Sequence, residues 1–569
     1  MPSNTPQFNE LLAKQYALAK PGARVCVETG EAFEIKPDEF DLYKDLNVPP
    51  PSVAPWVRFR RQRAQIGGID LFRRVGPSGE ALITMYDPES EAIVLPVENW
   101  HSDEFDPMRY GREVDPDKSF FLQWKEFSRS VPRPALIQDP TSQNSAWSIY
   151  ELSFKDCYST FGGVESEGVM YADFSVRSKN SVDIMSIANS EWCYDCTQCF
   201  ACNRAFFSER CGRCFDIYFC LNCTNCNDCF GCTNLKNKKF CFLNEQLTEE
   251  EYKKKFNEID LKNADKVEFW QEKVKPLWDK AYRRANDNFK SEKVEGDDLI
   301  SCSDVRGVSI IASKHVYNGF DMGNVEDSCD LSTCSFMERS TELLVCTNGY
   351  ENKMVLNCWD CIDIEYSELC TACEHCFGCI GLKHKKFCIF NRQYEEGEYW
   401  LLVDRIKREM FLRGEYGDFF PYFTSLMAYN TSHADALYPL SQSEAEKLGA
   451  RWYDFRKELP KDISSVEKMP VNLDEVSDKI LKKSFLCPES GRIFRIVKPE
   501  LEFHRKMKIA LPQLHPVVRR KKRYKQLLPF HLYERNCLKC NKKVLTRISP
   551  ELPFSVLCEI CHEEAVLGR

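Results

Sequence analysis

From Trp192 onward the chain sets small apolar residues on a strict beat of three. Cysteines stand at 193, 196, 199, 202, 211, 214, 220, 223, 226, 229, 232 and 241, with Ile217 in the same phase. A period of three is neither the 3.6 of a helix nor the 2 of a flat strand. It predicts very short strands broken by corners, with every third side chain turned inward: a parallel β-solenoid that stacks like residues above one another. SEWCYDC at 190–196 returns as SERCGRC at 208–214, which points to about 18 residues per turn. Elsewhere the pattern turns helical. Thr248 and Glu251 have capping-box spacing, Tyr252, Phe256 and Ile259 then share one face, and residues 248–290 read as helices. A second helical stretch starts near Tyr399, and 460–480 reads as a charged linker.

Two duplications organise these elements. Residues 166–252 align with 313–399 at a constant offset of 147, pairing Cys211 with Cys358, Cys214 with Cys361, Cys223 with Cys370, Cys229 with Cys376 and Cys241 with Cys388. The chain ends are also related: Cys26, Gly30, Phe33, Glu39, Pro55 and Arg58 match Cys487, Gly491, Phe494, Glu500, Pro516 and Arg519 at an offset of 461. The expected fold is mainly β, with two duplicated cysteine-lined parallel β-solenoid modules separated by helices and flanked by zinc-ribbon-like terminal modules. The boundaries follow: a degenerate zinc-ribbon-like pair at 1–105, a first solenoid at 140–247, a helical connector at 248–295 and a second solenoid at 300–394. A helical segment at 395–460, a linker at 461–481, a degenerate treble-clef-like module at 482–530 and a four-cysteine zinc ribbon at 531–569 complete the chain.

Composition decides how the cysteines are read. The chain has 569 residues, 43% hydrophobic and 29% charged, a folded composition long enough for several domains. Its amino-terminal stretch lacks the apolar core of a signal peptide, and no run of about 18 apolar residues could span a bilayer, so a cytoplasmic location is expected. There thiols stay reduced, and 30 cysteines mean metal or packing before disulfides. CYDCTQCFAC at 193–202 has the spacing of iron–sulfur ligands. Its counterparts in the second copy, however, are Ser340, Leu343, Cys346 and Gly349, and Cys220 matches Ser367. Such interchange suits a small filler better than a ligand. No Walker A loop, H-E-x-x-H or G-x-S-x-G is present, and no catalytic set stands out.

The sharpest chemistry lies at Cys537-Leu-Lys-Cys540 and Cys558-Glu-Ile-Cys561, two C-x2-C knuckles separated by 17 residues. Four thiolates on two tight turns complete a tetrahedron around one structural Zn²⁺. Upstream, the segment from Cys487 resembles a treble-clef zinc-ribbon family with the pattern C-x2-C-G, F, E-x2-F-Y, P-x2-C-x2-C-R. Its ligand slots hold Cys487, Ser490, His515 and Val518 here, and Cys26, Thr29, Ala54 and Val57 in the amino-terminal copy. The shape is expected to persist without zinc, leaving one of the four terminal units metallated. Nearly the whole chain resembles a family of large cysteine-rich proteins from candidate-phyla-radiation bacteria. These repeat the phrase FGC-x-x-L-(K/R)-x-K-K-(F/Y)-C-I-x-N-x-Q and end in this double knuckle. The resemblance carries no activity to transfer.

The net charge of -9 gives no global attraction to nucleic acid. Locally, Arg519, Arg520, Lys521, Lys522, Arg523 and Lys525 crowd one stretch beside the zinc module, a pattern that suits phosphate contacts with RNA or the ribosome or else forms a solvated helix face. Arg58, Arg60, Arg61 and Arg63 form a weaker version at the other end. The leading expectation is a non-enzymatic zinc-binding scaffold that meets RNA, the ribosome or a protein partner. The alternative is a redox or metal-storage protein, with iron–sulfur or multiple zinc on the solenoid thiols.

Overall fold

The computed structural model describes residues 4–567 apart from 140, 186–190, 198, 200, 289–290, 293, 301–305, 312–327, 329–355, 357–361, 459–466 and 530. Strands take 25% of the chain and helices 31%. The fold is therefore strand-rich but not mainly β, because helices close the sheets and pack over their outer faces.

At the centre runs a ten-stranded sheet, in chain order from Ile149–Leu152 to Glu245–Gln246. Every pairing is parallel except the last, where Lys239–Phe242 turns back on Glu245–Gln246. Ile149 faces Phe161, Phe161 faces Asp173, Asn203 faces Phe215 and Phe215 faces Asn227, a step of 12 residues. Bridges between the strands keep the same step, as in Glu167 with Lys179 and Gly212 with Thr224. The spacing of about 18 inferred from SEWCYDC and SERCGRC is thus corrected to 12. Eighteen is one and a half steps, and both numbers are multiples of three, so the two phrases keep their phase while standing half a repeat apart.

The local cause of the corners is visible in the backbone. Asn222, Asn225, Asp228, Gly231, Asn234 and Asn237 all lie in the left-handed region, with φ from 50° to 64°. Asn, Asp and Gly enter it at least cost, and along this stretch one of them stands in each triplet; elsewhere in the sheet Tyr171, Phe174, Arg177, Phe207, Arg210 and Phe219 take the same conformation. The residue after each of the first five is buried, Cys223, Cys226, Cys229, Cys232 and Leu235, while Lys238 after Asn237 is half-buried.

The second cysteine-rich segment is described over its closing part. Ile362–Glu365, Glu374–Phe377 and Lys386–Ile389 are parallel with the same step, and Arg392–Gln393 turns back on the last of them. Both sheets end on an asparagine: Asn244 Oδ1 accepts the Thr233 N–H and Asn391 Oδ1 accepts the Ile380 N–H, each at 2.8 Å. Ser340, Leu343, Cys346, Gly349, Cys358 and Cys361 lie outside the described residues.

A helix follows each closing hairpin. Glu249–Asn257 starts at the expected capping box, with Thr248 Oγ1 accepting the Glu251 N–H and the Glu251 carboxylate accepting the Thr248 N–H. Helix Ala264–Asp279 is next, but Tyr282–Arg284 is a strand where the sequence read as helix. Glu396–Leu412 follows the second sheet and packs against helix Pro6–Leu18, whose Phe8 N–H donates to Asp404. The segment expected as a linker is docked from Glu467 on: Asn472 bridges Asn263, and Leu473 and Ile480 are buried. Among the described residues no helix is long and apolar enough to cross a membrane.

Candidate metal centre

Three antiparallel hairpins share one turn. Cys26, Cys487 and Cys537 each donate an N–H to the carbonyl five residues on and accept one from the residue four on: Gly30, Gly491 and Asn541. That fourth residue is left-handed in all three, with φ of 74°, 65° and 59°, a conformation that glycine and asparagine adopt at least cost. Cys26 and Gly30, aligned above with Cys487 and Gly491, thus share this turn with them.

Only the last of these units brings four sulfurs together. Cys537 and Cys540 lie on the turn between strands Tyr533–Asn536 and Lys543–Thr546. Cys558 follows strand Ser555–Leu557, and Cys561 lies in the first turn of helix Glu559–Leu567. Their Sγ atoms all lie within 4.8 Å of one another, an arrangement that can hold a metal ion, and among the described residues no other His, Cys, Asp or Glu group of three converges this way. Cys540 Sγ and Cys558 Sγ are 3.7 Å apart, and the Cys558 N–H points at Cys537 Sγ at 3.3 Å. Burial raises the Cys537 thiol, but backbone N–H groups of Cys540, Cys558 and Lys539 aimed at its sulfur outweigh this and pull it down to about 6. Thiolate, the metal-binding form, is favoured there. Cys537, Cys558 and Cys561 are buried, while Cys540 is exposed at the rim.

The module is tied to the rest of the molecule from far away in sequence. Tyr282–Arg284 pairs in parallel with Ser555–Leu557, Arg283 lies over the Phe554 ring at 4.7 Å, and Asn286 Nδ2 donates to Leu545 O. Asn222 and Asn234, at corners of the large sheet, donate to Tyr282 O at 3.2 and 2.9 Å. The metal residues were legible from their spacing. This strand was not, because three residues carry no period.

The basic stretch forms helix Pro516–Gln526, and the structure turns most of it inward. Arg519 pairs with Asp183 and Glu500, Arg520 makes a forked contact to Asp173 at 2.7–3.0 Å, and Arg523 pairs with Asp183 at 2.9 Å, all three being buried. Lys521 pairs with Asp435 and Lys522 with Glu489, while Lys522 and Lys525 are exposed. The expectation of an exposed cationic face over Arg519, Arg520 and Arg523 is corrected. Their partners lie more than 300 residues away in sequence, or on the neighbouring helix in the case of Glu500. At the amino-terminal end Arg60 and Arg61 likewise share Glu28, and Arg63 Nη1 meets His433 Nδ1 at 3.2 Å.

No protein-family model and no curated protein matches the chain. The site therefore stands on its own geometry.

The central thiols present a different environment. Cys193, Cys196, Cys199 and Cys202 do not face one point: their sulfurs approach the carbonyls of Cys202, Ala205, Ser208 and Cys211, each nine residues on, at 3.1–3.8 Å. Cys214, Cys220, Cys223, Cys226 and Cys232 repeat the contact. Ser166 Oγ makes it too, to Ser175 O at 3.2 Å. A protonated thiol donates in such a contact, and burial pushes Cys157 up to about 11 and Cys196 and Cys211 well above the ordinary thiol range, whereas hydrogen bonds from the neighbouring thiols of Cys214 and Cys220 pull Cys226 and Cys232 down. Serine and cysteine alternate in these slots because both are small donors.

Proposed function

We propose that the chain is a non-enzymatic scaffold of the cysteine-rich family it resembles, with a closed β-solenoid body and a terminal module locked by one zinc ion. The observation that carries this reading is the four-sulfur cluster. A tetrahedron with Zn–S bonds of about 2.3 Å has edges of about 3.8 Å, and Cys540 and Cys558 stand 3.7 Å apart. With sulfur at all four corners no position is open to water, so the ion would hold the fold rather than react.

The step of 12, which is four triplets, supports closure of the body. The matching ends of the two cysteine-rich sheets support their descent from one module. Salt bridges inside the molecule occupy Arg519, Arg520 and Arg523, which argues against RNA or the ribosome at those residues.

Metal analysis of the purified chain tests the reading. About one zinc per chain, lost in Cys558→Ser, supports the scaffold. Several zincs or an iron–sulfur absorbance would replace it with the metal-storage reading. A metal-free, folded chain after reconstitution with zinc would sink both.

A further inference from the structure

One outer edge of the large sheet stacks Tyr171, Asp183, Asp195, Phe207 and Phe219 at the 12-residue step. Two helices lie across it. Pro516–Gln526 covers the Asp183 end through Arg519 and Arg523. Ala264–Asp279 covers the Phe219 end, with Trp278 Nε1 donating to Phe219 O at 3.1 Å. Between them a cleft of about 590 Å³ opens over Tyr194, Asp195 and Phe207. Its size falls within the range of small-ligand sites.

The floor carries hydrogen-bonding capacity that the protein does not use. Tyr194 is only 5% exposed, yet its hydroxyl makes no hydrogen bond among the described residues. The Asp195 carboxylate beside it likewise has neither a hydrogen bond nor an ion pair there, although Arg519 and Arg523 line the same cleft. Those guanidinium groups pair with Asp183 and Glu500 through their terminal nitrogens, while the Nε of each has no hydrogen-bond partner among the described residues. Counting Asp195, two cations face three carboxylates, so one negative charge is left over. On the helix side Asp265 and Glu268 outnumber Lys275, and Lys522 is paired with Glu489. Tyr194 and Phe207 meet edge to face at 5.1 Å and supply an aromatic wall next to the carboxylate.

We propose that this cleft binds an organic cation, an alkylammonium or guanidinium group whose charge rests on Asp195 and whose stem lies against Tyr194 and Phe207. A charge-assisted hydrogen bond to the carboxylate, a second contact to the Tyr194 hydroxyl and the negative face of the aromatic rings all favour that chemistry. An anion would meet the unpaired carboxylate and is disfavoured. The cation could be free, as in a polyamine, or carried by a lysine or arginine side chain of a peptide.

Calorimetric titration of the full chain with spermidine, with free arginine and with an Arg-Lys-Arg peptide tests the assignment. Saturable one-to-one binding is expected for at least one probe, weakened at least tenfold by Asp195→Asn and about threefold by Tyr194→Phe. Both substitutions preserve shape, and asparagine accepts the left-handed backbone of Asp195, whose φ is 53°. A peptide that binds more than tenfold tighter than either free amine assigns a side chain as the occupant, and the reverse order assigns a free cation. Undiminished affinity in Asp195→Asn, or no saturable binding up to ~10 mM of any probe, overturns the proposal.

Discussion

Cys193 and Cys196 have the same spacing as Cys537 and Cys540, yet the two pairs sit in opposite surroundings. In the large sheet each triplet advances the chain past one corner, and each sulfur comes to face a carbonyl. In the terminal hairpin the chain reverses on itself, and backbone N–H groups converge on Cys537. Carbonyls favour the protonated thiol, whereas N–H groups favour the thiolate. C-x2-C spacing therefore does not define a ligand pair. What separates the two is convergence: four sulfurs meet in the terminal module, whereas those of Cys193, Cys196, Cys199 and Cys202 each reach a different carbonyl.

The contrast is broken most severely at the terminal module. Cys558→Ser should reduce bound zinc from about one per chain to near none. Amide exchange should then lose protection over Tyr533–Asn536, Lys543–Thr546 and Ser555–Leu557, while the strands from Ile149 to Phe242 keep theirs. Full zinc in that variant refutes the four-ligand assignment. Next in size is Cys223→Asp, which places a carboxylate in a fully buried slot without a partner and should cost ~4 kcal/mol or more in urea unfolding. An unchanged midpoint would mean that the slot is open to water.

The chain already contains one carboxyl in this phase. Glu151 lies six 12-residue steps before Cys223, is buried, and accepts from the Asp139 N–H and the Ser142 hydroxyl, while its Oε1 has no partner among the described residues. Burial pushes it from 4.5 up to about 8. A carboxyl raised on folding contributes stability that is fully present below about pH 4.5 and is lost as pH rises through about 8. The free energy of unfolding in urea should therefore fall by a few kcal/mol over that window, and Glu151→Gln should remove the slope. A wild-type slope that survives the substitution assigns it elsewhere. The smallest effects are those of Cys223→Ala, about 1 kcal/mol, and Cys223→Ser, less than that, since a hydroxyl can reproduce the contact made by Ser166. Chemical denaturation of both variants checks the order, and a serine variant far less stable than the alanine one reverses it.

The sequence exposed the terminal site and the beat of three because both depend on neighbours close along the chain. Four cysteines on two turns are a local statement, and so is one buried residue per triplet. Over one stretch the corners carry a local signal too: Asn222, Asn225, Asp228, Gly231 and Asn234 each precede a buried position and are left-handed, whereas Tyr171, Phe174, Phe207 and Phe219 turn the chain with no such mark. The role of Arg519, Arg520 and Arg523 was not legible. A row of arginines reads the same whether it faces water or Asp173 and Asp183, and only the tertiary fold brings those carboxylates over. The strand at Tyr282–Arg284 was hidden for the same reason, since its partner lies far along the chain.

That pairing also sets an order of events. Tyr282 and Ser555 are 273 residues apart, and closing a loop of that length costs about 5 kcal/mol in chain entropy before any contact forms. The strand must wait as an open edge until its distant partner is made and folded, and open edges are where chains stick to one another. During zinc starvation the consequence would reach beyond a single melted knuckle: newly made protein would accumulate with an unsatisfied edge in its middle, and metal supply would be registered as a yield of soluble chain.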